Sequence, residues 1–114
     1  MDELYSVKCV NNGKPFKMPV WTVEKHEELL EKMVEYDQKK ETGVISEKEY
    51  DRKYRMTMMM ISLSEIDKNL KEKDLEQLHP DDFIELWMAV YYSGKTGIRV
   101  KSDFQQGEQS PQQK

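Results

Sequence analysis

Apolar positions in this chain of 114 residues are few and clustered. The densest cluster, Met56, Met58, Met59, Met60 and Ile61, fills five of six consecutive positions, and Leu63 and Ile66 continue it. Ahead of it, Ser46 and Glu49 match the S-x-x-E capping box, in which each side chain satisfies a backbone N–H at the start of a helix. The spacing therefore predicts a helix from Glu47 to about Leu70. At about 100° per residue its apolar groups point to nearly every side, interrupted only by Thr57, Ser62 and Ser64. A helix apolar all round must be enclosed by neighbours, and this chain offers few.

Two further helices are predicted. Thr22 caps a segment running from Val23 to about Lys40, with glutamates in its first turns, Lys39 and Lys40 at its end and Gly43 as the stop. Its stripe reads as Val23, Leu30, Met33 and Val34, with Leu29 and Tyr36 at the margins. The last helix spans about Pro80 to Ser93. Pro80 suits its first position, Asp81 and Asp82 complement its positive dipole end, and Gly94 stands where a C-terminal glycine belongs. Phe83, Leu86, Trp87 and Val90 make one face, and Ile84, Met88, Tyr91 and Tyr92 widen the apolar arc by roughly a third of the circumference.

At the N-terminus, Tyr5, Val7 and Cys9 alternate with polar positions, and "FKMPVW" follows after "NNGKP". Asn12-Gly13 carries the signal of a type I′ turn, so a β-hairpin is predicted, with Pro15 and Pro19 confining its second strand to an edge or bulge. Two strands need helices to cover them. The expected architecture is a mainly α, three-helix domain with an N-terminal hairpin over residues 1–101. Residues 102–114, rich in glutamine, are expected to be a disordered polar tail because they cannot bury enough to offset ordering entropy.

Charge narrows the function. Charged residues make up 35% of the chain and the net charge is -4, so nucleic acid and anionic membrane are disfavoured as partners. No apolar run approaches the roughly 20 residues needed to span a bilayer. Cys9 is the single cysteine, and "MDELYSVKC" lacks the pattern of a secretory signal, which fits a reducing cytoplasm.

The chemistry-bearing residues form no catalytic set. Gly94-Lys95-Thr96 follows a helix where a phosphate loop must precede one, and Ala89 stands where the motif needs its first glycine. His26-Glu27 begins like a zinc-protease helix, but Leu30 occupies the second ligand position. His79 reads as a helix-boundary residue and Cys9 as a small core residue. The carboxylates alternate with lysines, as on solvated helix faces. No enzyme, cofactor or metal site is expected.

What remains is surplus apolar surface, which marks protein contact sites. The expected protein-binding residues are Met58 and Ile61 on the second helix and Ile84, Met88, Tyr91 and Tyr92 on the third. An all-internal role for the methionine run, as the central helix of the domain, stands as the alternative. The order of a short extended N-terminus, a charged helical middle, the "LHPDDFIELWMAVYY" helix and a Gln-rich tail resembles the tail assembly chaperones of long-tailed bacteriophages and prophages of Gram-positive hosts. The resemblance implies a non-enzymatic, self-associating factor in the bacterial cytoplasm that binds the tape-measure or tail tube protein, with a longer frameshifted product. A prophage regulatory or adaptor protein that titrates one host protein is the competing expectation.

Overall fold

A computed structural model describes residues 3–93. The fold is mainly helical, with an antiparallel pair of short strands at its N-terminus. Strands β1 (Leu4–Tyr5) and β2 (Phe16–Lys17) place Leu4 opposite Lys17 and Tyr5 opposite Phe16. Helices α1 (Val23–Glu41), α2 (Glu47–Leu63), α3 (Glu72–Glu76) and α4 (Pro80–Tyr91) follow. Both α1 and α4 pack against α2. The expected tail, 102–114, lies outside the described residues, as does Gly94.

The hairpin forms without the predicted two-residue turn. Its strands are joined through residues 6–15, with Asn11, Asn12 and Gly13 all at positive φ. The reason lies beyond the loop: Val10 is fully buried, and the Asn11 N–H donates to Asp67 Oδ2 at 2.8 Å. Core burial and a distant carboxylate shape this connection, overriding the local turn signal.

The local helix signals act as their chemistry requires. The Thr22 hydroxyl accepts from the Lys25 N–H, and the Ser46–Glu49 box closes in both directions. After α1, Gly43 at φ 80° lets its N–H reach the Lys40 carbonyl while Val44 reaches that of Lys39, a Schellman closure. A side chain there would be strained.

Two expectations are corrected by the packing. On α1 the buried residues are Leu29 and Met33 with Tyr36 partly covered, whereas Val23, Leu30 and Val34 are exposed. The apolar arc of α1 is wider than one neighbour can cover, and α2 takes the half led by Leu29 and Met33. The second helix stops at Leu63, seven residues before the predicted end. Ser64 Oγ donates back to the Met60 carbonyl, and Asp67 accepts from the N–H of Asn69 at 2.9 Å while its own carbonyl accepts from Leu70. This Asx turn outcompetes helix continuation and delivers Leu70 and the α3 residue Leu75 to the core.

The methionine run is interior. Met56, Met58, Met59 and Leu63 are buried together with Leu29, Met33, Leu86, Val90, Val10, Phe16 and Met18. Met58, expected to meet a partner, is only 3% exposed, so that assignment is corrected: α2 is the central helix, and the chain's own elements surround it. Ile61 is half-buried against the same core.

Candidate protein-binding surface

Helix α4 is positioned by its first turn. His79 Nδ1 accepts from the Asp81 N–H at 3.1 Å, Pro80 needs no partner at N1, and Asp81 and Asp82 complement the dipole. Leu86 and Val90 then anchor one face in the core. Because side chains three and four apart share a helix face, fixing Leu86 and Val90 inward turns Ile84, Met88 and Tyr91 outward. Ile84 is 52% exposed, Met88 45%, Tyr91 37% and Tyr92 55%. Four of the six expected binding residues thus share one exposed face.

These residues line a groove of about 330 Å³ with Phe83, Trp87 and Arg55. Trp87 stacks on Tyr91 at 5.1 Å between ring centroids, and Tyr91 meets Tyr92 edge-on at 5.0 Å. From α2, the Arg55 guanidinium lies 5.4 Å from the Trp87 centroid, a cation–π contact that bridges the two helices. Arg55 makes no ion pair among the described residues, unlike its α2 neighbours Arg52 and Lys53, which reach Glu76 and Glu72. The Trp87 Nε1–H is buried without an acceptor among the described residues, a cost of about 1–3 kcal/mol. Tyr54, on α2, has its hydroxyl pKa raised by burial first and by the nearby Tyr91 second.

The groove offers aromatic and thioether surface rimmed by one cation, which suits the apolar side chains of a protein partner. Sequence reasoning missed Arg55, because it joins the site from another helix and no spacing rule links positions 55 and 87.

The remaining reactive groups sit elsewhere. Cys9 is half-buried and burial pushes its thiol pKa up, which keeps it protonated and a poor nucleophile. Exposed His26 accepts from Trp21 Nε1 at 3.4 Å. Among the described residues no group of three or more His, Cys, Asp or Glu side chains is placed to hold a metal ion. No helix among them is long and apolar enough to cross a membrane.

Comparison with protein-family models, with curated proteins and with solved structures finds no match.

Proposed function

We propose that this chain is a non-enzymatic assembly factor that binds protein through the outer face of α4, in the manner of a phage tail assembly chaperone. The observation that carries the reading is the contiguous exposure of Ile84, Met88, Tyr91 and Tyr92 on a helix whose opposite face is anchored in the core. Exposed apolar patches of this kind are partner surfaces, and a Met- and Tyr-lined groove adapts to a long helical client better than a rigid aliphatic one does. The net charge of -4 leaves no general attraction to nucleic acid. The proposed partners are the tape-measure or tail tube protein and further copies of this chain, in the bacterial cytoplasm.

The test uses purified full-length chain and a purified tape-measure protein encoded beside it. Binding is followed by the fluorescence of Trp87, with Trp21→Phe removing the second indole. The expected result is a complex that Ile84→Asp and Met88→Asp each weaken at least about tenfold, as truncation of a central apolar anchor does. A client that binds both variants as tightly as the wild type would overturn the placement of the site. A neighbourhood without tail genes would overturn the chaperone reading itself.

A further inference from the structure

The outer arc of α4 has one charged edge. At about 100° per residue, Asp81 and Glu85 fall in the same arc as Ile84, Met88 and Tyr92, on the side away from Trp87 and its Arg55 contact. Both carboxylates belong to exposed residues. Glu85 makes no ion pair among the described residues, although Lys8 borders a cavity with it. Asp81 lies 3.9 Å from His79 Nδ1, but that nitrogen accepts the Asp81 N–H and so carries no proton to offer. The apolar face of α4 therefore runs beside uncompensated negative charge, and its best cover is apolar surface that carries cations.

The sequence supplies such a segment next along the chain. Residues 94–114 lie outside the described residues, and they begin with "GKTGIRVKSDF". Ile98 and Val100 alternate with Arg99 and Lys101, and the stretch from Lys95 to Lys101 holds three cations and no carboxylate. Gly94 and Gly97 bracket four positions with the backbone freedom to reverse direction. With 12 residues, α4 is about 18 Å long, and residues 97–104 reach about 26 Å when extended, so a returning segment can span the whole face. The helix ends at Tyr91, beside Tyr92, so the segment starts on the face it has to cover.

Resting on the reading of α4 as the protein-binding surface, we propose that residues 97–104 fold back onto the outer face of α4 in the same chain and cover it until a client displaces them. Ile98 and Val100 meet Ile84, Met88 and Tyr92, and the long side chains of Arg99 and Lys101 reach over the edge to Asp81 and Glu85. Arg55 stands on the opposite edge, so the charges fix which way the segment lies. Tethering makes a weak contact sufficient. A short linker gives an effective concentration of about 1 mM, so a contact with an intrinsic Kd of about 0.1 mM keeps the face covered roughly nine-tenths of the time. A client then binds about tenfold more weakly than it would to the uncovered face.

The experiment follows the methyl resonance of Met88 in the full-length chain, assigned by its loss in Met88→Leu. Ile98→Asp combined with Val100→Asp is expected to shift that resonance while circular dichroism stays unchanged. Glu85→Lys is expected to shift it in the same direction, and Glu85→Lys combined with Arg99→Glu and Lys101→Glu to return it toward the wild-type position. All of this is expected to be independent of chain concentration between about 10 and 300 μM, as for a contact within one chain. A Met88 resonance indifferent to the Ile98 and Val100 changes overturns the proposal, as does a charge reversal that restores nothing. A shift that depends on concentration overturns it too, because the occupant is then a second copy. With the tape-measure protein as client, the Ile98→Asp, Val100→Asp chain is expected to bind about tenfold more tightly than the wild type, and equal affinity sinks the covering role. Client binding that Ile84→Asp weakens, in a chain without the Met88 shift, leaves the α4 reading standing and removes this one. The Met88 shift with its charge-reversal rescue, in a chain that binds no client, does the reverse.

Discussion

Met58 and Met88 carry the same side chain in opposite surroundings, so the same truncation tests the placement of both. Met58 is 3% exposed in the core around α2, and Met88 is 45% exposed on α4. Replacement by alanine removes three heavy atoms. At about 0.8 kcal/mol per methylene-sized group, the lost transfer energy for Met58 is roughly 2.4 kcal/mol, and the cavity left in the core places the loss in the 2–5 kcal/mol range. At Met88 about half of that surface is already wet and no closed cavity forms, so the expected loss is about 1 kcal/mol. In melting temperature, about 3 kcal/mol corresponds to a fall of roughly 12–24 °C for a domain of this size, against about 4–8 °C for 1 kcal/mol. Urea unfolding followed by far-ultraviolet circular dichroism measures both, at about 5 μM chain so that association adds nothing to stability. If Met58→Ala costs no more than Met88→Ala, Met58 is not a core residue and the central position assigned to α2 is wrong.

Asp67→Ala removes the acceptor of two backbone N–H groups, Asn11 and Asn69, and is expected to cost about 1–3 kcal/mol in urea unfolding. A change below about 0.5 kcal/mol would show that the loop joining β1 and β2 is held by Val10 alone. The Tyr50 hydroxyl donates to Asp37, and that bond, more than burial, pushes its pKa up to about 12 from the ordinary value of 10. A phenol whose pKa is raised on folding adds stability that is complete below pH 10 and lost as pH rises through about 12. The advantage of wild type over Tyr50→Phe is therefore expected to be constant from pH 7 to about 9 and to shrink by pH 11–12, measured as the difference in urea midpoint. A constant difference across that range would contradict the Asp37 bond.

What the sequence showed directly was chemistry that acts within one helical turn. Thr22, the Ser46–Glu49 box, Gly43 and Pro80 each cap or stop a helix through neighbours fewer than six residues away, and each does so in the structure. The failures needed partners from farther along the chain. The Asn12-Gly13 turn gave way because Asn11 is tied to Asp67, 56 residues on. The inward half of α1 was decided by where α2 lies, and Leu30 and Val34 look no less apolar in sequence than Leu29 and Met33. The end of α2 was missed because the expected helix ran on to about Leu70, through Asp67 and Asn69, whose side-chain and backbone groups make a turn. At the proposed binding surface, the wheel of α4 separated Ile84, Met88, Tyr91 and Tyr92 from the anchored face, since one helix carries the whole pattern. Arg55 could not be placed beside them without the packing of α2 on α4.

The position of the methionines changes where function is sought. With α1, α3, α4 and the N-terminal segment around it, α2 satisfies its all-round apolar surface within the chain, and the surplus passes to the two long helices that flank it. Neither can bury both of its faces against α2, which leaves Leu30 and Val34 outside on α1 and Ile84 and Met88 outside on α4. A core built on Met18, Met33, Met56, Met58 and Met59 also tolerates small shifts of its neighbours, because an unbranched thioether fills an altered gap at little cost. The flanking helices can then adjust to a partner while the centre stays covered. Substitutions in α2 should accordingly register as lost stability, and substitutions on the outer face of α4 as lost association with the proposed partner in a chain that still folds.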